Sequence, residues 1–329
     1  RDLIIPVSLS PTSGFTKSIL NAGEIENKGI EIILNGTPVK TKDFTWDATL
    51  NFSANKNRVV KIREGLTEII VASHFGYSGS TATMKYVPGY PVGNIYGTSY
   101  LRYYGGKPDD GTSLYSDLPI VIENSGSNAG FPRRDLQQRI LGNSQPDWIG
   151  GITNTFTYRN FGLSFLWETQ QGQDRYNQLG NFMSAFGIAK YTENRRESII
   201  FNGVLPDGTP NTQLVWLGQA MGPDGRNYGE GFYRNIHRRV SENFVEDASW
   251  VRLRNVSLSY TVPASVLKEK KIIQGATVTL TGNNLILITD YSGFDPETSS
   301  FSAGSNVDAF SGFTYPAVRS FLLSVNVNF

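Results

Sequence analysis

Residues 318–329 read VRSFLLSVNVNF. Arg319, Phe321, Leu323, Val325, Val327 and Phe329 alternate there with Ser320, Leu322, Ser324, Asn326 and Asn328. A period of two places each set on its own face of a β-strand. The same grammar appears at Phe44, Trp46, Ala48, Leu50 and Phe52 against Asp43, Thr45, Asp47, Thr49, Asn51 and Ser53. It recurs at Ile152, Asn154, Phe156 and Tyr158, at Val278 and Leu280, and at Lys28, Ile30, Ile32 and Leu34. In VRLRNVSLSY (251–260) the phase slips: Val251 and Leu253 share one parity, and Val256, Leu258 and Tyr260 share the other. A bulge near Asn255 reconciles them.

Working outward, this pattern predicts ten strands, at 1–7, 24–35, 43–53, 80–88, 93–104, 148–158, 161–171, 249–261, 274–288 and 318–329. Most exceed the usual globular strand and suit a tilted membrane crossing of about ten residues with extensions. The connections 8–23, 54–79, 105–147, 172–248 and 289–317 are long, and those between them, 36–42, 89–92, 159–160 and 262–273, are short. An up-and-down sheet sends alternate connections to opposite ends, so every long loop falls at one end. That asymmetry belongs to outer-membrane barrels, with long extracellular loops and short periplasmic turns; nothing in a soluble sandwich sorts its loops this way. The turn chemistry agrees, with Asn35-Gly36 and Arg159-Asn160 in two short connections and Lys268, Glu269, Lys270 and Lys271 crowding a third. The expected fold is an all-β, antiparallel up-and-down transmembrane barrel wall, its polar face on the lumen and its Val, Leu, Phe and Trp face on lipid.

Composition narrows the function. The 329 residues contain no Cys and only His74 and His237. This excludes a disulfide scaffold, a thiolate metal site, a Cys nucleophile and a His-rich metal centre. A formal net charge of +1 gives no general attraction to nucleic acid, and no basic stripe with interleaved aromatics occurs. No apolar run approaches the roughly 18 residues of a spanning helix, in keeping with a mean hydropathy of −0.27. Charge at 18% is low and aromatic content at 12% is high, as a wall with one lipid face requires. The chain opens at Arg1 already in a strand pattern, with no Met or signal segment, as expected of part of a longer precursor.

Several stretches resemble the C-terminal half of SusC/RagA-type TonB-dependent transporters, outer-membrane proteins of the Bacteroidetes. They are NAGEIENKGIEIIL (21–34), DFTWDATLNFSANKNRVV (43–60), FVEDASWVRLRNVSLSYTVP (244–263), TGNNLILITDYSGFDPETS (281–299) and YPAVRSFLLSVNVNF (315–329). GYPVGNIYG (89–97), ILGNSQPDWIGGITNTFTYRNFGLSF (140–165) and TENRRESIIFNGV (192–204) extend the likeness from about Gly23 to Phe329 in family order. The resemblance implies a 22-stranded barrel of which residues 1–329 supply about ten strands, with an N-terminal plug and TonB box outside this sequence. It also implies a SusD-like surface lipoprotein over the mouth, coupling to the TonB complex through the plug, and uptake of glycans or peptides. Contact with outer-membrane lipid and lipopolysaccharide follows, as does recognition of the terminal aromatic Phe329 by the barrel-assembly machinery. One departure bears on metals: GKPDDGTSLYSDLPIVIENSGSNAGFPRRD (106–135) lacks the D-x-[DN]-x-[DN]-G spacing of a calcium loop. Neither a metal nor another cofactor is therefore expected, and Asp109-Asp110-Gly111, Asp207-Gly208 and Asp224-Gly225 read as turns.

Binding residues are sought in the loop 172–248. Tyr191, Trp216, Tyr228 and Tyr233 offer faces for sugar rings or peptide side chains, and Arg195, Arg196, Arg238 and Arg239 offer clamps for carboxylate or phosphate. The plainer reading is that these side chains pack the loop against itself. Arg133-Arg134 and Arg238-Arg239 could meet lipopolysaccharide, or be ordinary solvated charges. Asp295-Pro296-Glu297 reads as a Pro-fixed turn with a solvated Glu, and Asp43, Asp47 and Glu168 as wetted lumen groups. Two alternatives stand beside transport. A complete small outer-membrane barrel protease would need a His–Asp pair and an activated water at the rim. No G-x-S-x-G, Walker, dinucleotide or H-E-x-x-H motif supports an enzyme. A surface glycan-binding β-protein would fold without detergent.

Overall fold

The computed structural model describes residues 3–8, 14, 17–73, 82–104, 107–108, 117–267, 273–301 and 307–329. Among them, eight strands form one antiparallel sheet in sequence order: β1 (Leu3–Ser8), β2 (Lys17–Lys40), β3 (Phe44–Ile62), β4 (Trp148–Tyr158), β5 (Phe161–Gln171), β6 (Trp250–Thr261), β7 (Gly275–Thr289) and β8 (Ser320–Asn328). The sheet is the wall the alternation predicts. One outward row runs Val39, Trp46, Phe156, Leu163, Leu258, Leu280 and Leu323 across seven strands. The row beside it on the other face runs Thr45, Thr157, Gly162, Ser259, Thr279 and Ser324. Leu323 is 71% exposed, so this apolar face has no protein layer over it and needs an apolar solvent.

Aromatic rings mark the limits of that band. Phe44, Tyr158, Phe161 and Tyr260 share the row at the short-turn end, with Phe161 and Tyr260 centroids 4.8 Å apart. At the other end Trp148 stacks on Phe52 at 5.9 Å. Tyr158 and Trp148 are ten residues apart on one face of β4. At about 3.3 Å per residue and a tilt near 40°, that spacing spans about 25 Å, the height of an outer-membrane apolar band. Inside the band Asn154 is kept buried because Trp46 Nε1 donates to its Oδ1 at 2.9 Å. Above it the β2–β3 hairpin turns ionic, with Glu26 meeting Lys28 at 2.8 Å and Arg58 at 3.4 Å.

The structure corrects several boundaries. The segments 80–88 and 93–104 are not wall strands. Their cores, Thr83–Tyr86 and Asn94–Gly97, join Ile69–Ser73 and Arg139–Asn143 in a separate four-stranded sheet. Every residue of both cores is buried, because this sheet is covered on both faces whereas the wall is not. Residues 63–147 are consequently one excursion, and the 89–92 turn lies at the long-loop end, hydrogen-bonded to Val59. Asn35-Gly36 is not a turn either: β2 runs through it and bulges between Gly36 and Val39. Pro38 lacks the donor a ladder needs, which makes a bulge its natural place in a strand. The hairpin closes instead at 41–43, where the Phe44 amide donates to Thr41 Oγ1 at 3.0 Å. Arg159-Asn160 is the expected two-residue turn, with Arg159 at φ 51°. The bulge near Asn255 is present as a register shift between Leu253 and Asn255. His74, Asp109-Asp110-Gly111 and Lys268–Lys271 lie outside the described residues.

Candidate functional site

The described parts of the three excursions 63–147, 172–249 and 290–319 lie at the same end of the wall and fold into one body. Asp174–Asn177, Val245–Asp247 and Phe310–Ser311 form a small sheet that ties the second excursion to the third. Beneath it Met84 and Ile95 of the first pack with Tyr176 and Phe244 of the second and Phe310 of the third. A second apolar cluster, Phe131, Val215, Leu217, Tyr228, Phe232 and Ile236, fastens the first excursion to the middle of the second. Ten of the loop aromatics, among them Phe131, Tyr176, Phe232 and Phe310, are thus spent on holding a mouth together.

The body is also anchored to the lumen face. Arg252 on β6 and Asp295, both 2% exposed at the side chain, meet at 2.7 Å. Glu297 lies 2.9 Å from Arg252 Nε and 2.7 Å from Arg254 Nη2, and Arg254 Nε reaches Glu168 on β5 at 2.5 Å. Glu297 is therefore not a solvated turn residue, and Glu168 is not a bare lumen charge: both are ion-paired. Asp47 accepts from Thr37 Oγ1 at 2.6 Å, and Asp43 stands 3.5 Å from Arg159.

Four of the eight expected binding residues line one concave cavity of about 350 Å³: Arg195, Arg196, Trp216 and Tyr233. Trp216 comes from the two-residue strand Val215–Trp216, paired with Ser198–Ile199. Its ring lies against Gly218, where any Cβ would collide with it, and meets Tyr228 edge-on at 5.9 Å. The rest of the rim comes from the C-terminal end of helix α1 (Gln178–Ala185), with Phe186 and Gly187, and from helix α2 (Gly231–Asn235). On α2 Arg234 pairs with Glu230 at 3.1 Å. Arg195 is positioned by a bond from Nη1 to the Thr192 carbonyl at 3.2 Å.

Tyr191 borders this group, its ring 5.9 Å from Tyr233, whose hydroxyl donates to the Tyr191 carbonyl at 2.8 Å. Burial raises the pKa of both phenols, so each stays neutral. Tyr228 is not a binding surface: it is 5% exposed, a strut behind Trp216, and donates to Asp224 at 2.8 Å. Arg238 is 1% exposed and lies outside the cavity. Its carbonyl accepts from Asn181 at 2.7 Å, and that of Arg239 accepts from Thr98 Oγ1 at 2.9 Å, stitching two excursions together. Sequence reasoning missed Glu230 and Gly218. The i,i+4 spacing of Glu230 and Arg234 was readable, whereas nothing local shows a ring over Gly218.

His237 is enclosed by Tyr191, Phe232, Tyr233 and Phe244 at 5.4–5.7 Å, and Ser184 lies 3.0 Å from its Nδ1. Burial lowers its pKa to about 4. It is a neutral packing hub, and among the described residues its ring contacts aromatic rings and Ser184. Among the described residues no group of three or more His, Asp or Glu could hold a metal ion.

Wall, aromatic girdles and one-ended loop body define a class: outer-membrane β-barrel wall carrying its extracellular mouth. No family model matches the chain. TonB-dependent receptor P3 of Formosa agariphila is 30% identical over 342 residues, covering 100% of this chain and 31% of the relative. TonB-dependent receptor SusC of Bacteroides thetaiotaomicron is 24% identical over 332 residues, covering 100% and 29%. Among solved structures, the RagAB peptide transporter superimposes with a TM-score of 0.63 at 20% identity, covering 99% of this chain and 32% of that one. The RagAB peptide importer in its open-open state gives 0.59 at 23%. The chain spans about a third of the length of the curated relatives it matches. The particular wall it is similar to is that of TonB-dependent receptors, SusC among them, a stretch of which the chain matches from end to end. It is an outer-membrane protein, and its relatives are receptors and transporters, not enzymes.

Proposed function

We propose that residues 1–329 are the C-terminal part of a TonB-dependent importer of oligosaccharides or peptides, forming barrel wall and extracellular mouth. The observation that carries this reading is the fusion of three excursions into one core at a single end of the wall, above a polar lumen face. A mouth built this way holds a substrate at the entrance. A SusD- or RagB-like surface lipoprotein covers it, and the TonB complex opens the path by acting on an N-terminal plug. The girdles meet lipid and lipopolysaccharide. Phe329, 75% exposed next to the last residue of β8, serves as the signal to the barrel-assembly machinery.

Two experiments test this. Growth on oligosaccharide or peptide as sole carbon source is compared between wild type, a deletion of the receptor and a strain lacking TonB. Loss in both mutants supports the proposal, and uptake that persists without TonB overturns it. For assembly, Phe329→Ala is expected to lower the amount of receptor in outer membranes without changing substrate preference; unaltered abundance removes that role.

A further inference from the structure

We propose that the cavity between α1, Trp216 and α2 binds an acidic sugar residue, with the ring on Trp216 and its carboxylate or sulfate among Arg195, Arg196 and Arg234. The inference rests on the importer reading and narrows its substrate. At about 350 Å³ the cavity is at the lower end of small-ligand sites, room for one or two rings. Its lining holds three guanidinium groups and one carboxylate, Glu230, which already pairs with Arg234. The excess is cationic in a chain whose overall charge is nearly balanced. Guanidinium groups suit carboxylate and sulfate oxygens because their planar forks donate two hydrogen bonds at once.

The aromatic partner is immobilised before any ligand arrives. Gly218 leaves space for the Trp216 ring, and Tyr228 props its edge. Tyr228 is itself fixed by its bond to Asp224 and by the Arg226 guanidinium 4.8 Å from its ring centroid. A pre-set platform lowers the ordering cost of binding. An extended peptide is disfavoured by the main chain at Leu217, which lines the cavity. The Leu217 amide donates to Glu197 O at 3.0 Å, and the Leu217 carbonyl accepts from Phe232 N at 3.0 Å. Both main-chain groups of Leu217 are thus taken and offer nothing to a peptide strand, whereas a sugar needs only the ring face, Gln219, Ser184 and the cations.

The test uses the intact receptor, with any co-purifying lipoprotein, in detergent. Calorimetric titrations compare tetragalacturonate, a sulfated tetrasaccharide, neutral maltotetraose and tetraglutamate. Tetragalacturonate or the sulfated sugar is expected to bind at least about tenfold more tightly than maltotetraose, and the tighter of the two identifies the anion. Arg195→Gln with Arg196→Gln, both at exposed positions that leave folding intact, should erase that margin. Trp216→Ala should weaken acidic and neutral sugars together. Equal binding of acidic and neutral sugars, an unchanged double variant, or preference for tetraglutamate overturns the proposal. Import that continues without TonB strikes the importer reading instead, so the two failures are separable.

Discussion

At the scale of single residues, charges buried against the lumen face hold the mouth in place. Asp295 Oδ1 serves Arg252 at 2.7 Å and the Glu297 amide at 3.0 Å, and Oδ2 accepts from the Ala317 amide at 3.1 Å. Asp295→Leu strips all three and leaves Arg252 with Glu297 alone. The expected loss is about 3–5 kcal/mol, and less than half of that for Asp295→Asn, which keeps shape and some hydrogen bonding. Faster hydrogen exchange at Ala317 would register it; equal exchange in wild type and Asp295→Leu would show that the network carries no load. This network was illegible in Asp295-Pro296-Glu297, since its partners sit on β6 and β5 and only the fold brings them together. His237 gives a pH prediction. Its folded pKa of about 4 lies below the ordinary 6.5, so as pH falls the unfolded chain takes the proton first. Stability is complete above about 6.5, falls between 6.5 and 4, and levels off below, with a loss of at most a few kcal/mol. Asp174, whose pKa burial raises, contributes with opposite sign. Exchange of the α1 amides from pH 7 to 4 therefore reads His237 better than global melting does, and His237→Phe should flatten that local profile.

At the scale of elements, β6 and β7 bulge together. Asn255 pairs with Asn283 and Leu253 with Ile286, and Asn284 takes the left-handed conformation at φ 52°. The bulge lets Arg252 and Arg254 share the lumen face before the parity changes. Asn tolerates this conformation better than other non-glycine residues, and here Asn284 also donates to Val318 O at 3.1 Å. Asn284→Gly keeps the backbone but loses the side chain, whereas Asn284→Val loses both. Heat-modifiability on gels should rank wild type above Gly and Gly above Val, the last step costing about 1–2 kcal/mol. A Val variant as stable as the Gly variant would mean that the bulge carries no strain. The slip was readable in VRLRNVSLSY because the wall pattern persists on both sides of it. The segments 80–88 and 93–104 misled for the converse reason. Four-residue strands at Thr83–Tyr86 and Asn94–Gly97 are too short for alternation to separate a wall from a sheet buried on both faces. Likewise Trp216 and the arginines of the cavity come from different elements, so the list of candidates was visible but not which of them meet.

At the scale of the whole molecule, the wall is a two-solvent object, and its parity decides what each position tolerates. The row Phe156, Leu163, Leu258, Leu280 and Leu323 lies inside the apolar band, two residues along each strand from the short-turn aromatic row, where hydrocarbon is the medium that matches it. Thr279, one residue away, pairs with Ser259 and Ser324 on the lumen face. A charge at Leu280 would have to enter lipid between the interface and the midplane, costing about 1–2 kcal/mol at that depth, whereas one at Thr279 meets water or polar neighbours. Leu280→Arg should therefore reduce the folded receptor recovered from outer membranes, and Thr279→Arg should leave it close to wild type. The comparison controls for the general cost of placing an arginine on β7. If both variants assemble equally well, the Leu280 face does not meet lipid and the membrane-wall assignment fails. If Thr279→Arg is the one lost, the assignment of the two faces is inverted. The expected asymmetry would tie the two-residue rhythm of VRSFLLSVNVNF directly to the orientation of the sheet in the membrane.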